Sequence, residues 1–205
     1  TNDIQLSDKV VNLGFYKTPH MYCYHINVAH PVLAEGSRYL APIRDVVWAA
    51  HAGENYRRQN VGYRTASAPI NPFHEQVWQH EMAADGNGEV PVALVNDDMG
   101  LGFEVTTRKD QFPCMYQWQN FQSAHYALGI EPSTNHVLGQ GAARERGEMI
   151  WLEHGDERRY DTRFRILTNA DEIAASEARI SGLAAQPAED YPQPSGNFEP
   201  IRGRA

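Results

Sequence analysis

With 205 residues, 41% of them hydrophobic, the chain is long enough to bury one sizeable core. Its 18 basic and 26 acidic residues give a formal net charge of −8, which argues against a nucleic-acid binder because such proteins need a basic face to displace counterions. No apolar run approaches the ~20 residues of a membrane span, and no signal segment opens the chain, so we expect a cytoplasmic protein without a membrane partner. Two cysteines, Cys23 and Cys114, are too few for a disulfide framework. We expect reduced thiols, with a single bridge left open.

Strand signals dominate the chain as far as residue 167. Clusters of Gly, Asn and Asp such as ADGNGE and NDDMGLG separate runs that are rich in aromatic and β-branched residues. In chain order these runs are DIQLSDKVVNLG, HMYCYHINVA, EQVWQHEMAA, EVPVALVND, LGFEVTTRK, CMYQWQNF, YALGIEPS, EMIWLEHG and YDTRFRIL. Many short strands with such punctuation predict an all-β protein, an antiparallel sandwich or barrel.

The last part of the chain, residues 168–205, differs from the first 167. Asn169 can cap a helix with Glu172 three residues later, and three apolar residues then share one helical face, namely Ile173, Ile180 and Leu183. The final twenty residues, QPAEDYPQPSGNFEPIRGRA, are rich in Pro and Gly and cannot form a core of their own. We therefore predict a short C-terminal helix and then an extended or disordered tail that is free to pack on a partner.

Three histidines, His20, His25 and His30, are spaced by five residues in the second run. On a regular strand His25 faces away from the other two, so convergence on one metal ion is not expected. His25 shares its strand face with Asn27, and a polar pair there needs hydrogen-bond partners or a ligand. His25 is therefore a candidate functional residue, and His30 is interpreted as structural. A metal site built from His20, His25 and His74 is the alternative.

Glu131 comes at the end of the run YALGIEPS, directly before Pro132. Strand ends and the loops beyond them are where functional sites collect. A carboxylate in a partly apolar pocket has its pKa raised towards the range useful for proton transfer. The alternative is an ordinary exposed glutamate.

Aromatic and amide side chains alternate in PCMYQWQNF. Tyr116, Trp118 and Asn120 face one way, while Gln117 and Gln119 face the other. Aromatic faces beside amides suit a sugar, whose C–H faces stack while its hydroxyls need donors and acceptors. Core packing would explain the aromatics but not the three amides.

A second polar run, FHEQVWQHEM, contains Glu75 and places His74, Gln76, Trp78 and His80 on one strand face. Such a face lines a cavity or is solvated, and the sequence does not decide between these two.

Together these segments resemble a known family. VVNLG followed by TPHMYCYHINVAHPVLAEG, then LGFEVTTRKDQFPCMYQWQNF, YALGIEPSTN and RERGEMIWLEHGDERRYDTRFRIL are similar to the aldose 1-epimerase, or galactose mutarotase-like, superfamily. The nearest resemblance is to its branch of epimerase-related proteins classed as a domain of unknown function. The resemblance covers residues 1 to about 167. It implies a large antiparallel β-sandwich with a sugar cleft on one concave face.

The resemblance also implies that this chain corresponds to the C-terminal portion of the family fold. The first half of that fold normally supplies an arginine and a further histidine that bind the sugar. Without it the sheets would have long unpaired edges, which folded proteins avoid. We expect a preceding segment or a partner chain to complete the sandwich, and a homo-oligomer is left open.

The family's catalytic glutamate lies in an "alEpq"-like segment that Glu131 matches. Its catalytic histidine lies in a "tNHsyFNl" segment with an asparagine four residues on; Asn27 matches that asparagine, and Cys23 then occupies the histidine position. His25, two residues along on the same face, is the residue to which we assign the histidine's role. The resemblance implies neither a metal nor an organic cofactor. The substrate-binding residues we expect are His20, Asn27, Glu75, Gln76, His80, Tyr116, Trp118 and Gln119.

The function expected from the resemblance is interconversion of sugar anomers by acid–base catalysis. A non-catalytic sugar-binding or accessory subunit on the same fold is the main alternative. A second alternative treats Thr1 as an N-terminal nucleophile exposed by cleavage.

Overall fold

The computed structural model describes residues 2–50, 59, 61–185, 187 and 194–201. Thr1 therefore lies outside the described residues. Within the described residues the chain forms twelve strands and two helices. The strands are β1 (Asp3–Val11), β2 (Thr18–His20), β3 (Ile26–Val28), β4 (Arg38–Leu40), β5 (Ile43–Ala49), β6 (Gln76–Met82), β7 (Glu89–Asn96), β8 (Leu101–Arg108), β9 (Cys114–Asn120), β10 (Ala127–Ser133), β11 (Ile150–Leu152) and β12 (Glu157–Leu167), and the helices are α1 (Gly139–Glu145) and α2 (Ala170–Ser181).

Two five-stranded sheets pack face to face as a sandwich. Their strand orders are β1-β12-β8-β7-β4 and β3-β10-β9-β6-β5, and β2 pairs with β11 in a third, two-stranded sheet. The pairs within these sheets are antiparallel. The core lies between the two large sheets and includes Val92, Leu94, Trp78, Leu128 and Ile130. The predicted all-β antiparallel sandwich is thus confirmed.

The run HMYCYHINVA, expected to be one strand, is divided in two. β2 ends at His20 and pairs with β11, whereas β3 begins at Ile26 and pairs with β10. Three elements lack a counterpart among the predicted runs, namely β4, β5 and α1.

The predicted C-terminal helix is confirmed as α2. The side chain of Asn169 accepts a hydrogen bond from the Glu172 backbone N–H at 2.9 Å, as a helix cap should. Ile173 and Ile180 are buried in a second apolar cluster with Ala93 and Val95 of β7. α2 therefore covers the outer face of the first sheet. No helix in the described part of the chain is long and apolar enough to cross a membrane.

Candidate active site

Strand register brings four polar side chains into one row across the second sheet. β10 pairs with β9 so that Glu131 lies opposite Tyr116, and β9 pairs with β6 so that Tyr116 lies opposite Gln79. On the other side of β10, the register that pairs Ile130 with Ile26 continues past the end of β3, because the Tyr24 N–H donates to the Pro132 carbonyl at 3.1 Å. That continuation puts His25 opposite Glu131. Residues opposite one another in a sheet project to the same face, here the outer face of the sandwich.

His25 and Glu131 are in direct contact. The distance from His25 Nε2 to Glu131 Oε1 is 2.8 Å, and the His25 side chain is 51% exposed against 11% for Glu131. Apart from this ion-pair contact, the buried Oε1 atom has no hydrogen-bond partner among the described residues. A buried acceptor of this kind lowers the stability of the fold unless a ligand or a water molecule donates a hydrogen bond to it.

Burial raises the pKa of the Glu131 carboxyl above its ordinary value. The charge of His25 acts against this rise, and the charge of Glu75 adds to it. Because the protonated form becomes more accessible near neutral pH, Glu131 is suited to accept and return a proton.

Trp118 forms the side wall next to this pair. Its ring meets the His25 ring edge-on, with centroids 5.4 Å apart and an interplanar angle of 63°. Its indole Nε1–H donates to Glu75 Oε2 at 3.1 Å, which holds the ring in place. Asn27, which is exposed, lies on the same face, since Asn27 and Trp118 are both opposite Gly129 in the register. The structure thus brings together six of the predicted site residues: His25, Asn27, Glu75, Tyr116, Trp118 and Glu131.

Gly129 lies directly beneath the contact between His25 and Glu131 and next to Trp118. A Cβ atom built on Gly129 would lie 2.7 Å from Glu131 Oε1 and 3.2 Å from both His25 Cε1 and the Trp118 Cβ. A larger residue at position 129 would therefore force Glu131 or His25 to move. Gly129 is not among the predicted site residues, although an isolated glycine inside a strand run is a signal of close approach.

Replacing Gly129 by alanine should lower any catalysis at this site by about 10²-fold, because the new methyl group displaces Glu131 or His25 from the 2.8 Å contact. The measurement is the turnover rate of purified variant and wild-type protein. Gly141→Ala is the matched control, since a Cβ at that position meets nothing within 4 Å. Equal activity of Gly129→Ala and wild type would contradict this role for the glycine.

Tyr116 has its ring on the site face, but its hydroxyl is already used. The hydroxyl donates to the backbone carbonyl of Asn135, and burial raises its pKa. Tyr116 therefore contributes the surface of its ring next to Glu131, and its hydroxyl is not available to a ligand.

Three predicted substrate-binding residues lie on the opposite face of the same sheet. Gln76, His80 and Gln119 are at most 1% exposed and point between the two sheets. Gln76 Nε2 donates to the Val61 carbonyl at 3.0 Å, and Gln119 Nε2 donates to the Gly62 carbonyl at 3.1 Å. These amides anchor an internal segment of backbone. The expectation that this polar strand face lines a cavity or is solvated is corrected: its buried amides satisfy backbone carbonyls that would otherwise be unpaired.

His20 also lies away from Glu131. It is buried, with Nε2 2.5 Å from the Tyr160 hydroxyl oxygen and its ring stacked against Tyr22 and Tyr160. Burial and, secondarily, the charge of Arg158 lower its pKa. Its contacts are those of a packed core histidine.

The cysteines are unbridged. Cys23 is exposed and Cys114 is buried, and both are free thiols. Although the residue as a whole is exposed, the protein around the Cys23 sulfur partly excludes water, and this desolvation, with the nearby charge of Glu131, raises the pKa of Cys23 to about 11. The thiol therefore stays protonated at neutral pH. Among the described residues, no group of three or more His, Cys, Asp or Glu side chains is arranged to hold a metal ion.

Comparison with solved structures identifies the class to which this sandwich belongs. A candidate aldose 1-epimerase from Klebsiella pneumoniae subsp. pneumoniae MGH 78578 matches with a TM-score of 0.78 and 25% identity, over 91% of this chain and 48% of that one. A galactose mutarotase related enzyme from Lactobacillus acidophilus matches with a TM-score of 0.54 and 14% identity, over 82% and 59% of the two chains. A galactose mutarotase-like protein from Clostridium acetobutylicum matches with a TM-score of 0.52 and 15% identity, over 79% and 52%. The fold is therefore that of the galactose mutarotase-like sandwich, and the chain spans about half the length of these structures.

A family model assigns the chain more narrowly. The model described as Domain of unknown function (DUF4432) matches residues 1–166, and the chain belongs to that family. No curated protein matches the sequence.

Proposed function

We propose that this protein binds an aldose on the Glu131 face and interconverts its two anomers. The observation that carries the proposal is the 2.8 Å contact between His25 Nε2 and a Glu131 Oε1 atom that has no other described partner. The names of the similar structures, which refer to aldose 1-epimerase and galactose mutarotase, support the same reaction class.

The proposed reaction needs one proton acceptor and one proton donor. Glu131 takes the proton of the anomeric hydroxyl while His25, as imidazolium, gives a proton to the ring oxygen. The C1–ring oxygen bond breaks and C1 becomes a carbonyl carbon. After rotation about the C1–C2 bond, His25 takes the proton back as the ring closes on the other face, and Glu131 returns its proton to the C1 oxygen.

The side-by-side arrangement of the two groups is compatible with this reaction. The anomeric hydroxyl oxygen and the ring oxygen are both bonded to C1, so an acceptor and a donor in mutual contact can reach both of them. The half-buried Trp118 ring offers an apolar surface for the sugar's C–H groups. Asn27 supplies an amide that can both donate to and accept from hydroxyls.

The second candidate function is non-catalytic sugar binding. The partly exposed Trp118 ring and the exposed Asn27 amide favour it, because they could bind a sugar without any proton transfer. Anomer-exchange NMR with a panel of aldoses separates the two, with saturation binding measured on the same samples. Accelerated exchange supports the epimerase. Binding without acceleration supports the accessory role and contradicts the enzyme.

The acid side of the pH profile gives a further prediction. The proposed reaction requires the deprotonated carboxylate of Glu131 to accept the anomeric proton. The pKa of this carboxyl is raised partly by the charge of Glu75. Glu75→Gln removes that charge while keeping an oxygen for Trp118, so the pKa of Glu131 falls and the acid limb of kcat/KM moves to lower pH. The measurement is the exchange rate across the pH range. Glu145→Gln, an exposed substitution at the end of α1, should leave the limb in place, and a limb unmoved by Glu75→Gln would contradict the coupling.

A further inference from the structure

The stretch of chain that carries His25 lies at the edge of the second sheet. Residues 21–25, here called the His25 segment, connect β2 to β3, a strand of three residues that pairs only with β10 in the described part of the chain. The main chain of the segment is bonded on that same side, where the Tyr24 N–H donates to the Pro132 carbonyl at 3.1 Å. Bonds to one neighbour leave an edge segment able to roll about its own axis. Side-chain contacts must therefore fix the direction in which His25 points.

Tyr24 and His25 project to opposite faces of the segment, as adjacent residues of an extended chain do. His25 contacts Glu131 on the outer face. The Tyr24 ring lies on the inner side against Phe112, with centroids 5.2 Å apart, and its hydroxyl donates to Asp8 Oδ2 at 2.5 Å. A roll of the segment that moved His25 away from Glu131 would therefore also pull the Tyr24 hydroxyl away from Asp8.

Asp8 belongs to the other sheet of the sandwich. It lies on β1 opposite the buried Tyr160 of β12, so its side chain projects to the inner face of the first sheet. Its Oδ2 atom also accepts from the Tyr22 hydroxyl at 3.1 Å, and the Tyr22 ring stacks on Tyr160 at 4.7 Å between centroids. Hydrogen bonds to a carboxylate are stronger than those between neutral groups. Asp8 thus ties two residues of the His25 segment to the opposite sheet.

The pKa of Glu131 reports on the position of His25. After burial, the described groups that shift this pKa are the charges of His25 and Glu75, and Asp8 is not one of them. The charge of His25 lowers the pKa of Glu131, so the pKa rises if His25 moves away. A change at Asp8 can therefore reach this pKa only by moving other groups.

We infer that Asp8 is a positioning residue for the proposed reaction: through the Tyr24 hydroxyl it holds the His25 segment at the angle at which His25 contacts Glu131. The inference rests on the proposed function and extends it, because it assigns the placement of the proton donor to a residue of the opposite sheet. A misplacement of about 1 Å between reacting groups can cost about 10²-fold in rate. The contact that Asp8 secures is therefore one on which turnover depends.

The test removes the hydrogen bond from either end, in the variants Asp8→Ala and Tyr24→Phe. Asp8→Asn is the conservative variant, since its amide oxygen can still accept from the hydroxyl. Tyr160→Phe is the matched control for Tyr24→Phe, because it removes a hydroxyl of the same aromatic cluster that contacts His20 Nε2 instead of Asp8. The pKa of Glu131 is measured by carbon-13 NMR titration and the anomer-exchange rate by NMR. Circular dichroism checks the fold of each variant.

We expect Asp8→Ala and Tyr24→Phe to raise the pKa of Glu131, because the positive charge of His25 moves away, and to lower the exchange rate by about tenfold or more. Asp8→Asn should retain both wild-type values, and Tyr160→Phe should lower only the melting temperature. When His25 is already alanine, adding Asp8→Ala should change neither the pKa nor the rate further.

An unchanged pKa of Glu131 in folded Asp8→Ala and Tyr24→Phe proteins would overturn the inference, whatever their exchange rates. Equal effects of Asp8→Ala in the presence and absence of His25 would also overturn it, since a purely structural role acts on both backgrounds alike. If the wild-type protein does not accelerate exchange, the proposed function fails, and the titration of Glu131 still decides whether Asp8 positions His25.

Discussion

Glu131→Gln should reduce anomer exchange by ~10²–10⁴-fold without unfolding the protein. The amide has nearly the same shape as the carboxylate but cannot accept the anomeric proton. Since His25 Nε2 is the one polar partner of Oε1 among the described residues, no further hydrogen bond of this atom is lost with the charge. The measurement is the exchange rate by NMR, with thermal unfolding followed by circular dichroism.

Glu145→Gln is the matched control for Glu131→Gln, because it removes one negative charge at an exposed position at the end of α1. It should retain wild-type turnover. If Glu131→Gln also retains wild-type turnover, Glu131 is not the proton acceptor and the proposed mechanism fails.

His25→Ala should lower turnover by a similar factor of ~10²–10⁴. The variant loses the donor to the ring oxygen. It also loses the positive charge that lowers the pKa of Glu131, so the acid limb of any residual activity should move to higher pH. Because the His25 side chain is 51% exposed, the space it leaves is open to solvent, and added imidazole should restore part of the rate. The measurement is the exchange rate with and without imidazole.

Two other histidines provide the controls for His25→Ala. His125→Ala removes an exposed imidazole elsewhere and should change neither the rate nor the response to imidazole. His20→Ala removes a buried ring from the cluster with Tyr22 and Tyr160, so it should lower the melting temperature more than the rate of the folded protein. If His20→Ala is the catalytically damaging change, the role assigned to His25 is wrong.

Predictions from local pattern agree with the structure where a single strand or helix decides the outcome. The runs that form β1 and β6 to β12, the α2 helix with its Asn169 cap and the shared face of His25 and Asn27 all depend on residues a few positions apart. The role of Gln76, His80 and Gln119, in contrast, depends on residues that are distant from them along the chain. Alternation showed which of these residues share a face, but not that the face points inwards against the carbonyls of Val61 and Gly62.

The sequence pattern by itself determined that this chain is all-β with antiparallel strands, a sandwich or a barrel, and that Glu131 lies near the end of a strand, two residues before the last residue of β10. Those properties follow from period-two alternation and turn residues, which act over short distances along the chain. Only the tertiary structure decided that His25 meets Glu131, because their contact depends on the register between β10 and a segment 106 residues earlier in the printed sequence. The same holds for His136 and Glu199, 63 residues apart, whose hydrogen bond holds part of a tail that the sequence pattern predicted only as extended or disordered. Pairings over such distances are set by packing, since no local preference specifies which strands become neighbours.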